Sequence, residues 1–118
     1  MGLERDRWVK VKKLAEARDG GKCLRCFGVA EVIHHRQVRG SGGSSDDERN
    51  YGLANLASLC NQCHGEIHLH PEDSYATGFL VHSWESPADR PLLLGSNHVF
   101  LQLTQDGELI TFKTQELF

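Results

Sequence analysis

The sequence predicts a single α+β domain, and three observations carry that prediction. Cys23/Cys26 and Cys60/Cys63 form two C-x-x-C pairs, residues 4–18 and 61–69 carry helical patterning, and β-prone runs at 99–104 and 108–112 flank Asp106-Gly107. At 118 residues the chain is long enough for one domain, 1–118, with a modest core, and too short for two. A metal staple would add stability to so small a core.

The elements follow in order. Residues 4–18 alternate charged positions with Trp8, Val11, Leu14 and Ala15 near helical spacing, and Asp19-Gly20-Gly21 ends the run. The apolar face of this N-terminal helix is expected in the core. Cys23 to Cys26 reads as a tight knuckle, and residues 29–33 as a strand that delivers the chain to His34 and His35. The stretch GSGGSSDDERNYG (40–52) has no packing signal and reads as a long functional loop. Leu53, Leu56 and Leu59 then return the chain to the second knuckle. Asn61 to Leu69 reads as a helix stopped by Pro71. A C-terminal β extension occupies 78–113: a short strand at 78–81, a Pro-containing link at 86–91, and a β-hairpin around the Asp-Gly turn.

The net charge of -3 and pI near 6.1 conceal an asymmetry. Through Arg39 the chain holds ten Lys/Arg against five Asp/Glu, whereas from Glu66 onward eight acids stand against Arg90 and Lys113. That pattern suits a phosphate-binding front and an acidic back; a solvated amphipathic helix beside an ordinary acidic tail is the plainer reading. No apolar run is long enough to span a membrane, and the charged start MGLERDRWVKVKK lacks a signal peptide's apolar stretch. The expected location is the cytoplasm, with no membrane partner.

In a reducing compartment, Cys23, Cys26, Cys60 and Cys63 suit a closed structural zinc site, each C-x-x-C turn offering two thiolates to one tetrahedral ion. Disulfide pairing in a secreted protein and a single redox-active pair are the other readings. The missing leader counts against the first and the two matched pairs against the second.

Neighbours in a regular strand point to opposite faces, so His34 and His35 cannot both reach one ion. One imidazole can bind a metal while the other faces a water that must lose its proton, a task suited to a histidine held in the right tautomer. His64 and His68 lie four residues apart, which on a helix sets both rings on one face. With His34 they would make a three-nitrogen set that leaves coordination positions for water and a phosphate oxygen. Packing or a phosphate contact is the alternative for His68. Asn55, on the return of the long loop, carries an amide able to hold that loop closed. Arg36 and Arg39 follow the doublet and are expected to hold a phosphate, plain surface being the alternative for each. His70, His82 and His98 read as ordinary surface or hydrogen-bonded residues.

The order C-L-R-C, then I-H-H-R-Q-V-R-G-S-G-G-S, then A-N-L-A-S-L-C-N-Q-C-H-G-E-I-H resembles the HNH endonucleases over a core of about residues 20–72. The remainder, with G-F-L-V and the terminal hairpin, is similar to HNH proteins of actinobacterial phages and their hosts. The resemblance implies a ββα-metal core with a four-cysteine zinc site and metal-dependent hydrolysis of double-stranded DNA to 5′-phosphate and 3′-hydroxyl ends. It implies that His34 binds the catalytic divalent ion, His35 is the general base, Asn55 braces the loop, and His64 and His68 are further ligands. The first ligand is often Asp in this family; His34 in its place shifts the expected preference from Mg2+ toward Mn2+, Ni2+ or Zn2+. The Lys that commonly follows the last motif residue is replaced by Ile67-His68. Low sequence specificity, nicking by a monomer and inhibition by salt are expected, since phosphate contacts carry no sequence information. The alternatives are a non-catalytic zinc-stapled DNA-binding module and an accessory subunit of a phage terminase, docked through the acidic half.

Overall fold

The two knuckles and the strands beside them organise the rest of the chain. The computed structural model describes residues 2–38, 47–94 and 99–113. Its elements are α1 (Gly2–Asp19), β1 (Val32–His35), α2 (Asp47–Tyr51), a 3-10 turn at Leu53–Asn55, β2 (Leu56–Leu59), α3 (Asn61–Leu69), α4 (Pro71–Thr77), a 3-10 turn at Pro87–Asp89, β3 (Leu92–Leu94), β4 (Val99–Leu103) and β5 (Leu109–Lys113). The architecture is mixed α+β.

Strands β1 and β2 pair antiparallel, with His34 opposite Ala57 and His35 opposite Leu56. Helix α1 is tied to this pair at its C-terminal end. Arg18 grips Asp19 through Nε–Oδ1 (2.7 Å) and Nη2–Oδ2 (2.9 Å) and donates to the Leu53 and Leu56 carbonyls. Asp19 Oδ2 in turn accepts from the Ser58 amide at 3.0 Å. Of the apolar face expected for α1, Ala15 is buried and Trp8 and Val11 are half-buried, but Leu14 is 49% exposed. The reason is that the helix is anchored by its polar end and lies on the β1/β2 pair along a narrow stripe.

Residues 47–51 form α2, so helix interrupts the stretch expected to be loop; residues 39–46 lie outside the described residues. Helix α3 starts where Cys60 Sγ accepts the Cys63 amide at 3.3 Å, so the second knuckle doubles as its N-cap. Pro71 ends α3 and also opens α4, which the sequence did not announce; a proline fits the first helical position, where no amide is needed. Glu72 and Asp73 stabilise the positive end of α4, and Gly78 (φ 84°) closes it in the left-handed conformation. A Cβ on Gly78 would lie 2.3 Å from the Pro91 carbonyl oxygen.

Residues 78–81 do not form the expected strand. Phe79, Leu80 and Val81 are all buried. Their backbone groups bond elsewhere: Leu80 N to Ser74 O, Val81 N to Arg36 O, and the Gly78 and Phe79 carbonyls to the side chains of Arg36 and His34. The hairpin does form, with β4 paired to β5 and Gly107 at φ 89° in its turn, and β3 adds a third antiparallel strand on β4. A single apolar cluster joins both halves, including Leu59, Ile67, Phe79, Leu80, Leu92 and Leu103. Among the described residues no helix is long and apolar enough to cross a membrane.

Candidate metal centres and the histidine pair

The first centre is built from two turns. Cys23, Cys26, Cys60 and Cys63 carry free thiols whose sulfurs lie within 4.8 Å of one another. Cys26 Sγ and Cys60 Sγ are 3.8 Å apart, matching the ~3.8 Å between two ligands of a tetrahedral zinc with Zn–S of about 2.3 Å. Backbone amides point at the sulfurs: Arg25 N and Cys26 N at Cys23, Gly28 N at Cys26, and Cys63 N at Cys60, at 3.3 to 3.5 Å. Burial raises the Cys23 thiol, but the amides of Cys26, Cys60 and Arg25 outweigh it and hold that thiol down at about 7. Burial pushes the Cys63 thiol up to about 12, a cost that a bound cation would reverse. The donor set and spacing fit a closed structural ion such as zinc.

The second centre takes its donors from a strand and a helix. His34, His64 and His68 each offer a ring nitrogen within 4.8 Å of the others. The rings meet edge-on, with centroids 5.1 Å apart for His34–His64, 5.6 Å for His34–His68 and 4.8 Å for His64–His68. His64 Nε2 and His68 Nε2 approach to 3.2 Å, close to the ~3.3 Å between two nitrogens sharing a tetrahedral ion at about 2.0–2.1 Å.

His34 is 2% exposed, and its Nε2 lies 2.7 Å from the Phe79 carbonyl oxygen. A carbonyl can only accept, so Nε2 carries the proton and Nδ1 carries the lone pair. Burial, reinforced by His64, His68 and His35 and opposed by the Phe79 carbonyl, pushes the His34 imidazolium down to about 3. His34 is therefore neutral at physiological pH, as a ligand must be. Burial, with help from His68, also lowers His64. The three donors run from the interior to the surface, with His34 buried, His64 half-buried and His68 exposed.

His35 leaves β1 on the other face. Its Nε2 donates to the Asn50 carbonyl at 3.1 Å, and its ring stacks on Trp8 with centroids 5.3 Å apart and planes 19° from parallel. The Asn50 bond makes Nδ1 the unprotonated nitrogen of the neutral ring.

Asn55 is fully buried and clamps both ends of the 38–48 segment. Its Oδ1 accepts from the Gln37 amide (2.6 Å), while Nδ2 donates to the carbonyls of Gln37 (3.2 Å) and Arg49 (2.7 Å). The placement of Arg36 corrects the expectation of a phosphate contact. Arg36 is wholly buried and donates to the carbonyls of Gly78 (2.9 Å), Ala54 (2.7 Å), Pro87 (3.1 Å) and Arg90, which joins β1 to the C-terminal half. It lies one residue past the end of β1, where the chain turns inward and Gln37 is buried as well. Arg39 and His98 lie outside the described residues.

Three participants were not read from the sequence. The Phe79 and Asn50 carbonyls are backbone atoms brought in from 45 and 15 residues away, and no residue type announces them. Trp8 was legible as apolar, and its partner became visible only in the fold. His82 is not an isolated surface histidine: it is sandwiched between Tyr75 and Trp84. No family model, curated protein or solved structure matches this chain.

Proposed function

We propose that the protein is a metal-dependent HNH-type endonuclease that hydrolyses DNA phosphodiester bonds. The observation that carries this reading is the divergence of two adjacent imidazoles on β1. With Nε2 bonded to the Phe79 carbonyl, Nδ1 is the nitrogen that His34 can offer to the three-histidine donor set, while His35 is held by the Asn50 carbonyl and the Trp8 ring. The antiparallel β1/β2 pair followed by α3, which together carry all three nitrogen donors, supports the ββα-metal architecture.

His35 Nδ1 accepts a proton from water, and the resulting hydroxide oxygen bonds to phosphorus as the bond from phosphorus to the 3′ oxygen breaks. The 3′ oxygen departs and gains a proton from solvent, leaving 3′-hydroxyl and 5′-phosphate ends. A divalent ion held by His34, His64 and His68 would polarise the phosphate and stabilise the leaving oxygen. Asn55 keeps Gln37 and Arg49 together and so fixes the segment that supplies Asn50. The basic residues of α1, among them Lys10, Lys12 and Lys13, lie on the helix that carries Trp8 and give the duplex backbone an attractive, sequence-independent surface.

The test is supercoiled-plasmid conversion by wild type and His35→Ala, each with Mg2+, Mn2+, Ni2+ or Zn2+ and with a chelator. Relaxed or linear product from wild type alone, abolished by the chelator, is expected. A folded, zinc-loaded wild type that leaves the plasmid intact with every ion would overturn the reading in favour of a DNA-binding module or a terminase accessory subunit.

A further inference from the structure

Three rings outside the histidine centre form a short column. Tyr75 on α4 stacks on His82 with centroids 3.8 Å apart and planes 3° from parallel, and His82 stacks on Trp84 at 4.3 Å and 6°. The column ends in solvent: Trp84 is 79% exposed although one face of its indole is covered by His82. A large aromatic ring kept at the surface in a fixed plane is unusual for residues that serve only the core.

The turn that carries the rings is held in place. Gln37 Nε2 donates to the carbonyls of His82 (2.7 Å) and Glu85 (2.8 Å), the His82 amide donates to Glu85 Oε1 (3.2 Å), and the Glu85 amide returns to the His82 carbonyl (3.0 Å). Gln37 is two residues beyond His35, and Asn55 fixes its backbone. The open end of the column therefore has a set position relative to the histidine pair. Beside it lies a hollow of about 240 Å3 lined by Gln37, Arg49, Trp84, Glu85 and Pro87. Arg49, whose Nε donates to Gln37 Oε1 at 3.3 Å, brings a cation to that hollow.

From these features we infer that Trp84 is a stacking platform for an unpaired nucleobase. A fourth flat ring continues the column without rearrangement, and every base has a face able to do so whatever its sequence. Because His82 and Tyr75 already fix the indole, little conformational entropy is lost on stacking. The site favours single-stranded or locally opened DNA over a closed duplex, whose bases have no free face. The inference rests on the nuclease reading and extends it to the form of DNA that is held.

Binding of a labelled 12-nucleotide single strand and of its duplex is measured without added divalent ion, for wild type, Trp84→Leu, Trp84→Phe and His82→Ala. Single-strand affinity is expected to fall about tenfold in Trp84→Leu, less in Trp84→Phe, and to an intermediate degree in His82→Ala, with duplex affinity changed less than twofold. An oligomer carrying abasic sites should bind wild type no better than the intact strand binds Trp84→Leu. Wild-type affinity for the single strand in a folded Trp84→Leu overturns the platform while leaving the nuclease reading intact. So does a Trp84→Leu variant whose self-association changes while its DNA binding does not, since the indole then serves a protein contact. A wild type that binds neither form of DNA overturns the nuclease reading and the platform together.

Discussion

The four-sulfur cluster and the three-nitrogen cluster gather donors within the same 4.8 Å limit, yet they are built on opposite plans. Each sulfur pair comes from one local turn, and backbone amides already point at three of the sulfurs. The nitrogens come from a strand and a helix, and His34 depends on a carbonyl from a third segment for its orientation. The sulfur cluster offers four donors from within the chain, a full set for a structural ion such as zinc. The nitrogen cluster supplies three donors that run from the buried His34 to the exposed His68, one short of a closed tetrahedral set. On the function proposed above, the sulfur centre would hold the chain together and the nitrogen centre would meet a substrate.

Four perturbations would break or sharpen that contrast. The largest effect is expected from Cys63→Ser or removal of the sulfur-bound ion, because structural zinc contributes on the order of 10 kcal/mol against a total stability of ~5–15 kcal/mol. Cooperative thermal unfolding should disappear; a Cys63→Ser protein that melts like wild type would remove the structural role. His35→Ala should lower the cleavage rate by about 10²–10⁴-fold with the melting temperature nearly unchanged, compared by plasmid nicking and calorimetry on one preparation. Equal loss of stability and activity would erase the distinction between the two regions.

Next in size is Asn55→Ala, which strips the Gln37 amide and the Gln37 and Arg49 carbonyls of their partner in a buried place. A loss of roughly 2–4 kcal/mol in urea unfolding is expected. The smallest effect concerns His34, whose folded pKa near 3 lies below the ordinary value near 6.5. Between those values the unfolded chain binds the extra proton, so stability rises with pH through the window and is lost as pH falls from 6.5 toward 3. Protein without an ion at the histidines should lose up to ~1.4 kcal/mol per pH unit between pH 6 and 5, and His34→Gln should flatten that slope. An unchanged slope in the variant would assign the pH dependence to other groups.

What the sequence revealed follows the same division. Cys23/Cys26, Cys60/Cys63 and the His64/His68 spacing are local, and a turn or one helical step is enough to read them. The Asp106-Gly107 hairpin was legible for that reason too. Residues 78–81 misled because an apolar run bounded by glycine suits a strand, whereas here tertiary partners absorb the backbone bonds. Arg36 misled because a cation beside two histidines suggests phosphate, although four carbonyls from distant segments enclose it. Strand β3 went unread since its three leucines gain meaning only beside β4.

Gln37 and Arg49 are locked to one side chain, so Asn55 sets where the chain leaves and rejoins the described structure on either side of residues 39–46. Doubling such a stretch costs only about 0.6 kcal/mol of closure entropy. Under the nuclease reading proposed above, a change of length between Gln37 and Arg49 is expected to leave the placement of His34 and His35 unchanged.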